Sequence, residues 1–208
     1  MKTLIFSDSH LTAHFDSAKC AFLQRLISSY DQVIINGDFW DGYETTFHKF
    51  ANSEWKKLFP LLLKKNTIYL FGNHDKKHWT LKPELFSVDQ GERFVLPVGK
   101  KQLVIEHGHK ISPSFDITYP KIAYVLSAFF SSRRFSFGRL LQGEQNMMMK
   151  HFAKNHLASN EVLVCGHSHV AENSRHQKFM NTGLIDYGVA SYLSVENSTF
   201  KLHTETYE

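Results

Sequence analysis

The sequence is poor in cysteine and proline and has no long apolar run. Of its 208 residues only 2 are Cys and 5 are Pro. Cys20 and Cys165 cannot form a disulfide framework and neither lies in a CxxC motif, so we expect a reducing, cytoplasmic environment. The apolar run behind Met1 is too short for a signal peptide, and no uncharged stretch reaches the roughly 18 residues of a membrane helix. We therefore expect no membrane span.

Charge of one sign is also scarce. The chain has 24 Lys and Arg against 20 Asp and Glu, a formal net charge of +4. This excess is too weak to indicate a specific nucleic-acid partner, although a modest positive field favours small anions such as phosphate esters. With 42% hydrophobic residues the chain can form a packed core, and we expect one domain over residues 1–208.

Short apolar runs alternate with helical patterns in the first third of the chain. Runs at 3–7, 33–35 and 68–71 predict buried strands, and the segments 17–30 and 45–65 predict helices, the second interrupted at Pro60. This order favours an α/β domain with parallel strands and right-handed crossovers. Further on we predict a strand pair at 94–98 and 102–106 around Gly99, a strand at 161–165, and antiparallel strands in the tail.

Residues 112–160 have a different pattern of apolar residues, which predicts a helical cap insertion within the domain. Apolar residues recur at helical spacing behind Pro120 and again through Met147 to Phe152, which indicates two helices. The simplest interpretation is that these apolar faces pack on the domain. An acyl-chain or nucleobase pocket is the alternative, in which a phosphate or an anionic membrane surface would contact Arg133, Arg134 and Arg139. Peripheral membrane contact through the cap therefore stays open.

Five short motifs carry most of the chemistry-bearing residues, and each directly follows a predicted strand. They are Asp8-Ser9-His10, Gly37-Asp38-Phe39-Trp40-Asp41, Gly72-Asn73-His74-Asp75, His107-Gly108-His109 and Gly166-His167-Ser168-His169. Residues that follow different strands of an α/β sheet meet at one edge, so the motifs should converge. The first four are spaced by about 30 to 35 residues, the length of a strand-helix-strand unit. The last step is nearly double, which agrees with the insertion.

These residue types point to metal ions. A carboxylate and a histidine one residue apart, such as Asp8 and His10, share one face of an extended strand end and can chelate an ion. The histidines of the last motif, His167 and His169, repeat that spacing. Asp38 is a candidate bridging carboxylate, and a second ion would take Asn73 and His107. Oxygen and imidazole ligands without thiolate predict two divalent ions, with Mn²⁺ the best fit and Fe or Zn²⁺ compatible.

Two such ions, about 3.5 to 4 Å apart, would generate hydroxide near neutral pH and bind the attacking and the leaving oxygen of an in-line displacement at phosphorus. His74 could protonate the leaving oxygen, and Asp41 could hold the other ring nitrogen of His74. The motifs therefore predict metal-dependent hydrolysis of a phosphodiester or pyrophosphate bond in a small molecule.

In these motifs the sequence resembles the calcineurin-like metallophosphoesterases, whose pattern is DxH, GDxxD, GNHD or GNHE, a later His-bearing segment, and GHxH. The resemblance runs from the first motif to the last and implies an α/β fold, a four-layer α-β-β-α sandwich of two mixed sheets. It implies that His74 is the acid and Asp41 its orienting partner. It also implies one metal ion on Asp8, His10, Asp38 and His169, and a second on Asp38, Asn73, His107 and His167.

Within this family the chain is most similar to the short bacterial branch that includes the UDP-2,3-diacylglucosamine pyrophosphohydrolases. Those enzymes also begin Asp-x-His-Leu and carry a helical cap before the last motif, but they usually have Arg in place of His74 and Asp in place of His109. The resemblance implies a nucleotide-lipid such as UDP-2,3-diacylglucosamine as substrate.

Two alternative functions stay open. A serine/threonine protein phosphatase or a phosphomonoesterase would share the GNH signature, but the arginines that such phosphatases use are not evident after Asp41 or Asp75. A non-catalytic binding scaffold would keep the fold and typically lose metal-binding histidines, and none is missing here. No protein partner is predicted, and His109 is either an active-site residue or a histidine beside the metal ligands.

Overall fold

The computed structural model describes residues 1–113 and 136–207, with the backbone alone for residues 136–142. In chain order its strands are β1 (Thr3–Phe6), β2 (Gln32–Asn36), β3 (Ile68–Leu70), β4 (Asp89–Gly91), β5 (Arg93–Val98), β6 (Lys101–Glu106), β7 (Glu161–Cys165), β8 (Glu172–Ser174), β9 (Phe179–Asn181), β10 (Ile185–Asp186), β11 (Val189–Glu196) and β12 (Thr199–Thr206). Its helices are α1 (Ser17–Ser28), α2 (Phe47–Asn52), α3 (Phe59–Lys64) and α4 (Ser136–His156). Single 3₁₀ turns lie at Glu54–Leu58, Pro83–Leu85 and Arg175–Gln177.

The larger sheet has seven strands within the described residues and is mixed. Its order is β10-β11-β1-β2-β3-β4, and β12 also pairs with β11. Strands β1 to β4 are parallel, whereas β11 is antiparallel to β1, β10 and β12. Helix α1 connects β1 to β2, and α2 and α3 connect β2 to β3. The predicted order of strands and helices in the first third of the chain is confirmed.

The smaller sheet has five strands in the described part of the chain, in the order β5-β6-β7-β9-β8. Strands β5 and β6 form the predicted hairpin around Gly99, and β6, β7 and β9 are parallel. The prediction that a strand-helix-strand unit separates Asn73 from His107 is wrong. No α-helix lies between these two residues, because β4 ends the larger sheet and the β5–β6 hairpin begins the smaller one.

Three apolar clusters separate four layers. In β1 the side chains alternate, as they must in a strand, so Leu4 and Phe6 belong to the cluster with α1, α2 and α3, and Ile5 belongs to the cluster shared by both sheets. On the other side, Val104 and Met149 belong to the cluster between the smaller sheet and α4. The expected α-β-β-α sandwich of two mixed sheets is confirmed.

The segment 45–65 departs from the predicted single helix interrupted at Pro60. It folds as α2, a 3₁₀ turn and α3, and the break lies at Ser53, whose backbone is extended and whose hydroxyl accepts the Trp55 N–H. Pro60 lies in the first turn of α3, where its lack of an N–H leaves no helical hydrogen bond unmade. The proline therefore begins a helix instead of interrupting one.

Of the predicted cap, 112–160, the structure describes residues 112–113 and 136–160. Helix α4 packs on the smaller sheet through Met149 and Ala153, while Met147 and Met148 are exposed. The predicted helix behind Pro120 lies outside the described residues. None of the helices that the structure describes combines the length and apolarity needed to cross a bilayer.

Candidate metal centre

The residues of the five motifs come together where strands of both sheets end. Asp8, Asp38 and Asn73 follow β1, β2 and β3 of the larger sheet, and His107 and His167 follow β6 and β7 of the smaller one. Asp8 and Asp38 are completely or almost completely buried. The site is thus built from the carboxyl ends of five parallel strands in two sheets, not from the edge of one.

The backbone of the ligand loops is left-handed, contrary to the extended geometry expected for the DxH and HxH pairs. The φ angles are 53° at Asp8, 43° at His10, 53° at Asp38, 69° at His167 and 61° at His169. Non-glycine residues adopt this region rarely, and such strain clusters at functional sites. Each pair therefore directs two side chains to the same place by sharp turns of the loop, not by alternation along a strand.

Asp38, Asn73 and His107 form the most enclosed part of the site. His107 Nε2 lies 3.1 Å from Asp38 Oδ2 and 3.2 Å from Asn73 Oδ1. The other ring nitrogen, Nδ1, lies 2.8 Å from the carbonyl oxygen of Asn36 and donates to it. Because the outer N–H donates a hydrogen bond to a backbone carbonyl, the neutral ring has its lone pair on the inner nitrogen, where it can bind a metal ion, as is usual for metal-binding histidines.

His167 completes this enclosed set in the same way. Its Nε2 lies 2.9 Å from the carbonyl oxygen of Ser112 and 3.4 Å from Nε2 of Gln145. Asp38, His107 and His167 each offer a donor atom within 4.8 Å of the others. The carbonyl of Ser112 thus fixes the ring of His167, and this support comes from just before the residues that the structure leaves undescribed.

Asp8, His10 and His169 form a second, more open set. Nε2 of His169 lies 3.3 Å from Asp8 Oδ1, and the Nε2 atoms of His10 and His169 face each other at 3.2 Å. His10 Nε2 also lies 4.0 Å from Asp38 Oδ2, so Asp38 lies between the two sets. The side chains of His10 and His169 are 13% and 34% exposed, so this set is the more accessible one among the described residues.

Asp41 and His74 lie at the open side of the site. Asp41 Oδ2 accepts from His74 Nδ1 at 3.0 Å and lies 3.3 Å from His10 Nδ1. The His74 side chain is 24% exposed, and its backbone N–H donates to Asp38 Oδ1 at 2.8 Å. Asp41 thus orients both His74 and His10, and these three residues form a further group of closely spaced donors.

Three buried carboxylates at the site are held in the ionised form by neighbouring histidines. Burial alone would raise the pKa of Asp38, but the imidazoles of His107 and His74 hold that pKa well below its usual range. Burial likewise opposes ionisation of Asp8 and Asp41, and neighbouring histidines lower both pKa values. All three groups are therefore ionised at neutral pH.

The histidines divide into two electrostatic classes. Burial disfavours the imidazolium of His107, but the carboxylates of Asp38 and Asp8 outweigh it and raise the pKa of His107 to about 10. Burial and the charge of His107 lower the pKa of His167 to about 3. Without a cation, the proton on His107 is thus the positive charge that compensates the buried carboxylates.

Glycines make room for the ligand atoms at three points. A Cβ at Gly37 would lie 2.5 Å from His107 Nδ1, one at Gly72 would lie 2.1 Å from Asp38 Oδ1, and one at Gly166 would lie 2.3 Å from an oxygen of Asp8. These distances are far below contact distance. The glycines of the motifs are therefore part of the ligand geometry, not only turn formers.

Asp75 supports the loops without contacting the candidate ligands directly. Its carboxylate accepts the N–H groups of Phe39 at 2.7 Å and Gly72 at 2.6 Å. Burial and the nearby charge of Asp38 raise the pKa of Asp75 to about 6. Asp75 thus ties the backbone of the second motif to that of the third.

Several supporting residues have no signature in the sequence. Asn146 of α4 is buried, accepts from Ser168 and Asn181, and donates to Val170 and Glu172. This network ties α4 to the last motif.

Lys19 supports the site by a hydrogen bond, and His109 lies next to it. The ammonium of Lys19, which is ion-paired with Asp186, donates to the carbonyl of Ser9 between two ligands. His109 lies beside the site, with ring centroids 5.5 Å from His107 and 6.3 Å from His167. Burial and the charge of His107 lower the pKa of His109 to about 4. The sequence motif alone could suggest His109, but not Lys19.

These residues fit divalent cations. The donor set consists of carboxylate, amide and imidazole atoms without thiolate, which suits Mn²⁺, Fe or Zn²⁺. The outer nitrogens of His107 and His167 are both held by backbone carbonyls. Within residues 1–113 and 143–207, the charges that lower the pKa of the buried Asp38 are those of histidines, of which His107 is the largest contributor.

Comparison with known proteins agrees with this geometry. A family model described as the calcineurin-like phosphoesterase superfamily domain matches residues 1–196. The chain therefore belongs to the calcineurin-like phosphoesterase superfamily, whose members are generally metal-dependent hydrolases. No curated protein matches the sequence.

Solved structures share the fold at low sequence identity. YfcE, a phosphoesterase from E. coli, is 17% identical with a TM-score of 0.51, and the match covers 99% of each chain. An archaeal phosphodiesterase is 16% identical with a TM-score of 0.51, over 99% of this chain and 100% of that one. A single mutant of Vps29 from Entamoeba histolytica is 16% identical with a TM-score of 0.50, over 100% of both chains. These likenesses show the fold alone, and the resemblance to the UDP-2,3-diacylglucosamine branch stays a prediction.

Proposed function

We propose that this protein is a dinuclear, metal-dependent hydrolase of a phosphodiester or pyrophosphate bond in a small molecule. The observation that carries the proposal is the convergence of the donor atoms around Asp38 from five separate strand ends. In this proposal one cation is held by Asp8, His10, Asp38 and His169, and the other by Asp38, Asn73, His107 and His167. Such a pair of ions would lower the pKa of water and neutralise the phosphate charge.

His74 is the proposed general acid. Because Asp41 accepts from Nδ1 of His74 at 3.0 Å, the other ring nitrogen is the one that would carry a proton to the leaving oxygen. His74 lies at the open side of the site with a partly exposed ring, where a leaving group could be protonated and released. Asp41 is a positioning residue in this scheme, since it contacts His74 and not the substrate.

The finer assignments are also part of the proposal. Mn²⁺ suits the mixed oxygen and imidazole ligands best, and a nucleotide-lipid such as UDP-2,3-diacylglucosamine is the pyrophosphate substrate that the sequence resemblance favours. A cytoplasmic location is supported by the two cysteines, Cys20 and Cys165, which are both buried and unpaired. A small-molecule substrate, without a specific nucleic-acid or protein partner, completes this assignment.

The test is hydrolysis of bis-p-nitrophenyl phosphate by folded protein with Mn²⁺ added. His74→Ala and Asp38→Ala should each lose about 100-fold or more in kcat/KM, the usual effect of removing an acid or a metal ligand. His48→Ala, which removes an exposed histidine on α2, is the matched control and should keep full activity. No turnover with any divalent ion, in protein that binds the ion and melts cooperatively, would refute the proposal.

A substrate panel separates the remaining possibilities. Rates on UDP-2,3-diacylglucosamine, a cyclic nucleotide, a bis-ester and a phosphoserine peptide should be compared under one metal condition. The proposal predicts that the pyrophosphate or the diester is the best substrate. Preference for the phosphopeptide would favour the protein phosphatase alternative, and metal analysis that finds no bound ion would favour the scaffold alternative.

A further inference from the structure

A lysine held by two aromatic rings lies beside His74. The Lys76 ammonium is 4.4 Å from the ring centroid of Trp79 and 5.4 Å from that of Tyr43. The two rings are nearly perpendicular, with centroids 5.2 Å apart. The ring of Tyr43 also contacts the His74 ring, at 4.7 Å between centroids. Lys76 and His74 therefore lie against the same tyrosine ring.

The local structure fixes this arrangement. The carbonyl of Lys76 accepts the N–H groups of Trp79 and Thr80, which folds residues 76–80 into a turn and brings Lys76 and Trp79 together. Gly42 donates to the carbonyl of His74 at 2.8 Å. A Cβ at Gly42 would lie 2.6 Å from the Trp79 ring, so only glycine lets the indole approach this closely. The turn and the glycine together therefore bring the rings of Tyr43 and Trp79 to the ammonium of Lys76.

Lys76 carries a positive charge that no carboxylate neutralises among the residues that the structure describes. Its observed contacts are the two aromatic faces, and the nearest acidic neighbour in the sequence, Asp75, is already occupied by two backbone N–H groups. A cation–π contact holds an ammonium in place without cancelling its charge. An ammonium of this kind binds phosphate as a point charge.

We propose that Lys76, held by Tyr43 and Trp79 beside His74, binds a second phosphate on the leaving group, so that the enzyme prefers pyrophosphates to simple diesters. This inference rests on the proposed function, because it takes His74 as the acid of the reaction. It assigns the substrate class through a residue that none of the five motifs contains.

The chemistry of pyrophosphate hydrolysis brings a second phosphate to this place. The oxygen of water forms a bond to one phosphorus as the water gives one proton to solvent, from which His74 regains the proton that it donates, and the bond from that phosphorus to the bridging oxygen breaks. The bridging oxygen leaves with the electron pair and takes a proton from His74, and it remains attached to the second phosphorus. The products are two phosphate monoesters, and the second phosphate is one bond away from the oxygen that His74 protonates. A cation beside His74 is therefore where the leaving phosphate needs one.

The experiment compares two phosphonate probes that cannot be hydrolysed. Methylenediphosphonate carries two phosphoryl groups and methylphosphonate carries one, and both are titrated calorimetrically into protein with excess Mn²⁺. The variants are Lys76→Gln, Lys76→Arg and, as the matched control, Lys77→Gln, which removes the same charge from the adjacent exposed residue. Chelation of Mn²⁺ by the probe in solution is the same for every variant, so affinity ratios between variants report on the protein.

The proposal predicts that Lys76→Gln weakens methylenediphosphonate binding by about tenfold or more, the effect of losing a charged hydrogen bond. The loss should be clearly smaller for methylphosphonate, and Lys76→Arg should recover most of the affinity because it keeps the charge. Lys77→Gln should change neither affinity by more than about twofold, since an exposed charge acts weakly through solvent.

Several results would overturn the proposal. They are equal losses for both probes in Lys76→Gln, no loss for either probe, a Lys77→Gln effect as large as that of Lys76→Gln, or wild-type protein that does not prefer the diphosphonate. Turnover is not needed for this measurement. A wild-type protein that prefers the diphosphonate but hydrolyses no ester or anhydride would refute the proposed function and leave the Lys76 subsite supported.

Discussion

Filling the enclosed half of the metal site with a divalent cation should release a proton from His107. In the metal-free protein, burial opposes the charge of His107, but Asp38 and Asp8 raise its pKa to about 10. A metal ion needs the neutral ring with a free lone pair on Nε2, so binding must displace this proton. His167 contributes no proton, because its pKa is lowered to about 3 and its ring is already neutral. The perturbation is therefore an exchange of one proton for one cation.

The size of the effect follows from the pKa of His107. Between pH 7 and 9 this group is almost fully protonated in the metal-free protein, since its pKa is about 10. The apparent association constant should then rise about tenfold per pH unit, or about 100-fold over this window. The gain corresponds to about 2.7 kcal/mol of binding free energy at pH 9 relative to pH 7.

Isothermal titration with Mn²⁺ measures both quantities. Titrations at pH 7, 8 and 9 give the affinity, and titrations in two buffers of different ionisation enthalpy at one pH give the number of protons released. We expect about one proton for the first ion bound. His107→Asn is the control and should bind the ion weakly with no proton release. An affinity that is independent of pH between 7 and 9 in wild-type protein would contradict the charge compensation described for His107.

The remaining predictions concern stability and the supports of the site. In denaturant titrations, the free energy of unfolding of the metal-free protein should fall as pH rises from 7 to 10. The pKa of His107 is about 10 in the folded protein and lower in the unfolded chain, so the stabilisation from the protonated ring is complete only below the unfolded pKa. Saturating Mn²⁺ should abolish this pH dependence. Gly166→Ala places a methyl group 2.3 Å from an oxygen of Asp8, so it should lower stability by about 1–3 kcal/mol and weaken Mn²⁺ binding in the same titration; unchanged binding would show that the glycine is not needed for the ligand geometry. Asn146→Ala removes a buried amide with four hydrogen bonds and should lower the free energy of unfolding by about 1–3 kcal/mol. Met148→Ala, at an exposed position of the same helix, should change that free energy by less than about 0.5 kcal/mol, and equal losses in the two variants would contradict this assignment.

The sequence predicts the central strands well because each is a short apolar run followed by a polar motif. The strands β1, β2, β3, β6 and β7 lie where these runs are. The edge strand β4 is not predicted, since Asp89-Gln90-Gly91 is polar and carries no alternation. It is a strand only because β3 supplies hydrogen bonds to it. Local pattern therefore predicts strands with apolar or alternating residues and not a polar edge strand such as β4.

The candidate site shows a similar division. The motifs predict the residues that carry ligand atoms, because carboxylate and imidazole side chains that follow five strands in turn are expected to meet at the carboxyl ends of those strands. They do not name the carbonyls of Asn36 and Ser112, which hold the rings of His107 and His167. Every residue has a carbonyl, so this support has no sequence signature. The left-handed backbone of the ligand loops cannot be predicted from the sequence either, because it occurs here at aspartate and histidine and not at glycine.

The Lys76 subsite illustrates contacts that depend on packing between distant segments. Tyr43 follows the second motif and Lys76 follows the third. Their side chains meet because the loops after β2 and β3 lie side by side. The Gly42 N–H bond to the His74 carbonyl joins those loops. Composition and spacing cannot show such a contact, because it depends on how two distant loops pack.

Anomalous X-ray scattering from crystals grown with Mn²⁺ tests the paired-cation site most directly. We expect two manganese peaks about 3.5–4 Å apart, with the carboxylate of Asp38 touching both. The other ligands should be Asp8, His10 and His169 around one peak and Asn73, His107 and His167 around the other. A single peak, or two peaks with the Asp38 carboxylate turned away from either of them, would contradict the account.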